Sequence, residues 1–203
     1  MTAPATTRGR LVRAASELLE EAGYATASVA AIAERAGLAT GALYRHFPSK
    51  AELFVEVFRN VAEAELVAME SAAERSSGFE ERLAAVIRTY ATSALRNRRL
   101  AWALVYEPVD PLVDAERLAY RRRYCAGMAD LLREGVRTGA IPEQDVEVAA
   151  AAVVGAIAEA LVGPLSPLPG GAQSEPAIVA AIVGFCRGAI GLTAGSRGKE
   201  STS

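Results

Sequence analysis

The chain has 203 residues, 51% of them hydrophobic, with a net charge of −2 and an isoelectric point near 5.6. That composition holds enough apolar side chain for a small module plus one larger domain, rules out global disorder and provides no overall basic field of the kind nucleic-acid binding favours. Two cysteines do not make a disulfide scaffold, and one histidine excludes a multi-histidine metal site and leaves only His46 to centre a histidine-based catalytic triad.

Residues 1–7 read as disordered and lack the charged start and apolar stretch of a signal peptide. A first helix is expected over 8–22, with Leu11, Ala15, Leu18, Leu19 and Ala22 on one face and Gly23 ending it. Ser28 is a good N-cap for a short second helix, because its hydroxyl can accept from an orphan N–H of the first turn. Val29, Ile32, Ala33 and Ala36 then recur with helical spacing, and Gly37 follows where a left-handed C′ residue is easiest for glycine. A third helix fits 40–47, with Leu43 and Phe47 facing inward. Pro48 breaks it, and Ser49 with Glu52 forms a capping box that opens a long fourth helix to about Glu74. Two short helices around Ala36-Gly37-Leu38 are how a helix-turn-helix looks in sequence.

Beyond a break at Ser76-Ser77-Gly78, helices are expected over 79–94, 98–106 and 113–138, the last apolar on more than one side and so central. Glu107 to Pro111 separates the second and third of these, since proline disfavours a helical residue before it. A turn at 139–142 leads to an alanine-rich helix over 143–162 ended by Gly163. A Pro/Gly/Ser loop over 164–175, a last helix over 176–194 and a polar tail complete the chain. The longest apolar run, 148–158, is ended by Glu159 and is too short to span a bilayer. No strand pattern and no repeat appears. The fold expected is all-α, with about nine helices. Cys125 and Cys186 lie in apolar helical contexts and read as buried reduced thiols. A soluble, cytoplasmic protein with no membrane partner, no metal and no cofactor is expected.

The stretch from Val29 through Ile32-Ala33 and Ala36-Gly37-Leu38 to Gly41-Ala42-Leu43-Tyr44-Arg45-His46-Phe47-Pro48-Ser49-Lys50 resembles the DNA-binding domain of the tetracycline-repressor (TetR) family of bacterial regulators. The close resemblance covers roughly residues 8–58. Two positions depart from the common pattern: Ala39 stands where Ser or Thr usually caps the recognition helix, and Ala42 where a polar residue often reaches a base. The resemblance implies a three-helix helix-turn-helix domain over 8–52, a helical ligand-binding and dimerisation domain over 53–195, and a disordered tail over 196–203. Charge fits this division: residues 1–50 carry six basic and four acidic side chains, a net +2, and the remainder 16 and 20, a net −4.

Expected DNA contacts follow from the chemistry of the motif. Thr40 and Gly41 open the recognition helix, where N–H groups favour a phosphate. Tyr44 can donate to a phosphate, and Arg45 has the fork that matches guanine O6/N7 in the major groove. Lys50 and Ser28 offer further backbone contacts. In the resembling family the position of His46 often faces the phosphate backbone. The structural alternatives are a core aromatic at Tyr44, a solvated charge at Arg45 and an internal hydrogen bond at His46. In the large domain, Tyr90, Trp102, Tyr106, Tyr124 and Met128, with Glu159 on an otherwise apolar helix, form a mixture that lines small-molecule sites. Glu107 and Arg121 are further polar candidates, and ordinary core packing is the alternative. Ala152, Gly155, Gly184 and Gly188 allow close helix packing. The resemblance implies that this builds a four-helix dimer interface, and packing within one chain is the alternative. No nucleophile–base pair, Cys-x-x-Cys or phosphate-binding glycine loop points to an enzyme. The function expected is a ligand-responsive homodimeric repressor, released from a palindromic operator in double-stranded DNA by a small apolar or cationic effector. A ligand-independent DNA-binding regulator and a helical small-molecule enzyme or carrier are the alternatives.

Overall fold

A computed structural model describes residues 6–168 and 173–192. The described residues form nine helices and no strand: α1 (Thr7–Thr26), α2 (Val29–Arg35), α3 (Thr40–His46), α4 (Lys50–Glu74), α5 (Gly78–Arg96), α6 (Arg98–Val105), α7 (Pro111–Arg137), α8 (Val146–Leu165) and α9 (Glu175–Ala189).

Local chemistry accounts for most boundaries. The Thr6 hydroxyl accepts from the Gly9 N–H at 3.1 Å, so Thr6 and Thr7, expected to be disordered, open α1; residues 1–5 lie outside the described residues. Gly23 (φ 78°, ψ 178°) interrupts α1, and one further turn follows to Thr26. The end of α2 is a Schellman motif: the Gly37 N–H bonds to Glu34 O at 2.9 Å and the Leu38 N–H to Ala33 O at 2.8 Å, with Gly37 at φ 66°. The Ser49 hydroxyl caps α4 by accepting from the Glu52 N–H at 3.2 Å. The return half of the expected box is not formed among the described residues, and Glu52 stays exposed. Pro111 sits at the start of α7, where its missing N–H costs nothing, and Asp110 caps the Leu112 N–H at 2.9 Å.

Three expectations are corrected at the C-terminal end. Asp145 accepts from the N–H groups of Glu147 and Val148, so α8 begins at Val146 rather than 143. It also runs past Gly163 and Pro164, because Leu165 is buried and a proline in the last turn removes only one late hydrogen bond. α9 stops at Ala189 in a second Schellman motif at Gly191 (φ 79°), and Ala194 lies outside the described residues. Cys186 is buried and Cys125 half-buried, both as free thiols. α8 is longer than its apolar run suggested: by length and composition alone, with a mean hydropathy of 2.0, it could cross a membrane. Here it packs against α5, α6, α7 and α9.

Two cores hold the molecule together. The first joins α1–α4 through Leu11, Leu19, Ile32, Leu43, Phe47 and Phe54, and it extends to Leu100, Ala103 and Leu104 of α6 and to Val113 and Tyr120 of α7. The second lies among α5, α7, α8 and α9. α6 therefore bridges them, with Ala101, Trp102 and Tyr106 packed on the second core. Burial on both faces of this short helix makes it stiff against independent movement, since each apolar side chain buried is worth about 1.5–3 kcal/mol. α4 and α7 run in the same direction, paired by Arg59–Glu116 at 2.8 Å and Arg123–Glu63. Leu118 is exposed, so α7 is central on two faces rather than all round.

Candidate nucleic-acid interface and ligand cavity

The helix-turn-helix presents α3 outward. Thr40, Gly41, Tyr44, Arg45 and His46 are exposed, whereas Leu43 and Phe47 are buried. Tyr44 is 54% exposed, so it is not a core aromatic. Arg45 makes no ion pair and His46 no hydrogen bond among the described residues. Ala39 provides no side-chain cap, which leaves the first N–H groups of α3 unmet by a hydroxyl. Ala42 is buried, so a polar residue there would face the core rather than a base in this arrangement. Ser28 is exposed and its hydroxyl accepts from the Ala31 N–H at 3.2 Å, leaving its own O–H free to donate.

The basic charge of this module is partly spent internally. Arg35 forks onto Glu21 at 2.7 Å, Arg8 pairs with Glu56, and Arg10 donates to the Ala36 and Gly37 carbonyls at the end of α2. Arg13 and Arg45 remain without an ion pair among the described residues. Arg13 was not singled out by its sequence context, since any helix face carries such charges. Lys50 has an internal role that its position in the motif does not disclose. Its Nζ donates to the Tyr24 carbonyl at 2.7 Å and stands 4.2 Å from the centre of the Tyr24 ring, whose edge packs on Phe54. Burial there pulls the Lys50 ammonium below its usual pKa. Two of its three N–H groups remain for a phosphate.

From the same turn a second bond leads into the large domain. The Tyr24 N–H donates to Glu107 Oε2 at 2.7 Å. Glu107 follows α6 directly, and Arg117 of α7 fixes that end by donating to the carbonyls of Ala103, Leu104 and Glu107. Glu107, a polar candidate for the pocket by sequence, is thus a tether between the two halves.

A cavity of about 990 Å³ lies between α4, α5, α6, α7 and α8. Its lining runs from Phe58 to Glu74 along α4, about 24 Å at 1.5 Å per residue. Tyr90, Tyr106, Tyr124 and Met128 line it. Trp102 and Glu159 are not on its wall. Trp102 packs on Tyr106 with ring centres 5.2 Å apart, and Glu159 is exposed on the outer side of α8, because the turn of that helix directs Ile157 and Leu161 inward instead. Tyr106 is itself anchored, its hydroxyl donating to the Ala158 carbonyl at 2.5 Å. Arg121 lines the cavity but is exposed.

Among the polar groups on the wall, Glu65 has a bonded partner inside the cavity that its sequence context does not disclose. Glu65 of α4 lines the cavity, and its Oε2 accepts from the Tyr124 hydroxyl at 2.9 Å. Desolvation outweighs that bond and pushes the Glu65 carboxyl up to about 7. A signal existed: Glu65 falls four residues after Val61 and four before Met69, on the apolar stripe of α4. Tyr90 packs edge-on against Tyr124 at 5.8 Å, and burial beside Glu65 raises its phenol well above the usual range.

On the opposite side, α8 and α9 present a face of small residues. Ala152, Gly184 and Gly188 are exposed, and a Cβ added at either glycine would meet nothing within 4 Å. Among the described residues, then, nothing covers the outer side of either glycine. Gly155 is half-buried beneath the Arg121 guanidinium. Val148 and Phe185, 65% and 63% exposed, add large apolar side chains to the same two helices.

The comparisons with known proteins agree with both halves. Residues 11–57 match the model of bacterial regulatory proteins of the tetR family, and residues 76–161 match a tetracyclin repressor-like C-terminal domain. A relative named HTH-type transcriptional activator FasR, from Mycolicibacterium smegmatis, is 34% identical over 83 residues, 41% of this chain and 38% of that one. The match thus spans well under half of that relative's length. The fatty acid metabolism regulator protein of Bacillus subtilis is 26% identical over 153 residues, 74% of this chain and 79% of that one. Among solved structures, the transcriptional regulator FadR from Bacillus subtilis, in complex with stearoyl-CoA, superposes with a TM-score of 0.74 at 23% identity, covering 87% of this chain and 96% of that one, which is a likeness of fold. A helix-turn-helix module matched at one end and a repressor-type helical domain matched at the other leave one reading: the chain belongs to the TetR family of DNA-binding transcriptional regulators.

Proposed function

We propose that this protein is a homodimeric repressor that leaves a palindromic operator when a long-chain acyl effector fills its large-domain cavity. The observation that carries the reading is the cavity of about 990 Å³, whose walls include α4, α6 and α7, three helices that also enter the core of the DNA-reading module. A ligand that favours one setting of α4 and α6 must bias the setting of α3, because a packed core passes a shift on as a rigid-body movement. The long, largely apolar wall along α4 suits an extended chain. The Bacillus subtilis relative, named for fatty acid metabolism, and the fold neighbour solved with stearoyl-CoA support the same class. The cationic half of the sequence-based effector class rested on Glu159, which is off the cavity wall, and is not retained. A ligand-independent regulator would be expected to fill this space with side chains, so the cavity weighs against that alternative.

In this reading residues 8–52 form the DNA-binding module and 53–195 the sensing and dimerisation module. Thr40, Gly41, Tyr44, Arg45, His46, Ser28 and Lys50 meet DNA. The face bearing Ala152, Gly155, Gly184, Gly188 and Phe185 pairs with a second copy. One short recognition helix reads too few bases for specificity, and two-fold pairing supplies a second at a fixed spacing. The protein works in the cytoplasm and catalyses nothing. Selection of bound DNA from a random pool tests the core of the proposal. A recovered palindrome whose binding is weakened by stearoyl-CoA is the expected result. An asymmetric site, or one indifferent to every acyl compound, would overturn symmetry or effector class respectively.

A further inference from the structure

We propose that Glu65 is the specificity-determining residue of the cavity: with Oε2 held by Tyr124, its carboxyl donates from Oε1 to the carbonyl of a long-chain thioester or amide and discriminates against a free carboxylate. The inference rests on the acyl-effector reading above and deepens it.

Three observations carry it. First, Glu65 is a carboxyl group in an otherwise mainly apolar wall, and its one bonded oxygen is occupied by the Tyr124 hydroxyl at 2.9 Å. Second, its position is a junction. Glu65, Tyr90, Ser93 and Asn97 line both the main cavity and a smaller groove of about 320 Å³ between α4 and α5, and Asn60 and Thr89 continue that groove with polar side chains. Here an apolar chain would give way to a polar head. Third, the cations on the lining are elsewhere engaged or exposed: Arg123 pairs with Glu63, Arg82 with Glu134 and Arg117 with Asp114, while Arg121 is exposed. The phenols of Tyr90 on α5 and Tyr124 on α7 face Glu65, and the Arg121 guanidinium of α7 acts on Tyr90 from the same cavity.

The chemistry follows. Desolvation keeps the Glu65 carboxyl protonated up to about pH 7, so it has one proton to give. A thioester or amide carbonyl is a neutral acceptor and enters without charge. A carboxylate at the same place is an anion desolvated beside a carboxyl group, and the one lining cation outside an ion pair among the described residues, Arg121, is exposed to solvent, so the desolvation is costly. The Tyr90 hydroxyl makes no protein hydrogen bond among the described residues and stands ready as a second donor on the same wall.

The test uses the full-length protein and three probes of one chain length: S-palmitoyl pantetheine, palmitamide and palmitate, with hexadecyltrimethylammonium as the cationic control. Binding is measured by titration calorimetry at about pH 6, where Glu65 is protonated, and at about pH 8.5. The expected result at the lower pH is that the thioester and amide bind about tenfold more tightly than palmitate, the fold-change one hydrogen bond supports. Glu65→Leu should abolish that preference, Glu65→Gln should keep it by substituting an amide donor, and raising the pH should weaken thioester binding in the unaltered protein but not in Glu65→Gln, because the ionised carboxylate has no proton to give. An unchanged preference in Glu65→Leu overturns the assignment while leaving the acyl cavity standing. Tightest binding of the cation, lost in Glu65→Gln, overturns it in favour of an anionic site. Binding of none of the four probes overturns the acyl-effector reading and the anchor with it. Thermal melting of each variant separates a lost preference from a lost fold.

Discussion

Glu107 and Tyr24 are 83 positions apart in sequence, yet the Tyr24 N–H and the Glu107 carboxylate are joined by a hydrogen bond of 2.7 Å. The approach is close enough to dictate the neighbouring residue: a Cβ at position 23 would stand 2.5 Å from Glu107 Oε1, and Gly23 also needs φ 78°. The Tyr24 carbonyl receives Lys50 in turn, so one dipeptide links the end of α6, the interruption in α1 and the start of α4. A bond to a charged acceptor is worth about 1.5–3 kcal/mol. Glu107→Ala should therefore lower the coupling between effector and operator more than it lowers operator affinity alone. The check is operator affinity with and without stearoyl-CoA. Undiminished coupling would place transmission in the α4 packing instead.

Gly23→Ala should be harmful for two reasons that act together, a strained positive φ and a collision with Glu107. A loss of about 1–3 kcal/mol in unfolding free energy is expected from the backbone alone. Combining it with Glu107→Ala should recover part of that loss, since the collision is removed and the backbone strain stays. Denaturant melts of the two single variants and the double variant measure this.

For DNA recognition, Arg45→Ala should relax preference at one base pair by about 1–3 kcal/mol, whereas Tyr44→Ala should weaken binding evenly across sequences. Lys50→Ala has two possible origins of effect. If a phosphate contact is lost, the salt dependence of binding falls by about one unit. If only the Tyr24 tether is lost, affinity drops with the salt slope unchanged. Binding measured across a salt series distinguishes them.

On the proposed pairing, Gly188→Glu and Phe185→Glu should both give monomers without unfolding the subunit, because both positions are exposed within the chain and would meet only a partner. Sedimentation and operator binding are the readouts. A stable dimer in both variants would place the interface elsewhere.

Stability should respond to pH in two opposite ways. Glu65 is raised in the fold to about 7, so the native state holds its proton more tightly than the unfolded chain does. Its contribution is greatest below the unfolded value of 4.5 and is lost as pH rises through about 7, by about 1–3 kcal/mol. Glu63, held near 2 by Arg123 and Tyr120, behaves in the reverse sense: what it contributes is present above 4.5 and lost as pH falls through about 2. Glu65→Gln should flatten the upper limb of the profile, and melts between mild acid and about pH 8 test it.

Sequence by itself determined the elements whose cause is local. Gly37 in its Schellman turn, Ser28 and Ser49 as caps, Pro111 at a helix start and the inward pair Leu43 and Phe47 all depend on neighbours within a few residues, so their spacing alone reveals them. The helix-turn-helix is built almost wholly from such signals. Tertiary structure decided what depends on how helices are rotated against one another. Trp102 and Glu159 have the chemistry of a pocket and lie off its wall, because a helix shows each side chain to only one direction and that direction is set by packing. Glu65 has the same chemistry on the inward face, where Tyr124, 59 positions later, meets it. Lys50 and Glu107 likewise differ in role from their sequence context, since the partner that defines each is the backbone of Tyr24, which only the folded chain brings to them.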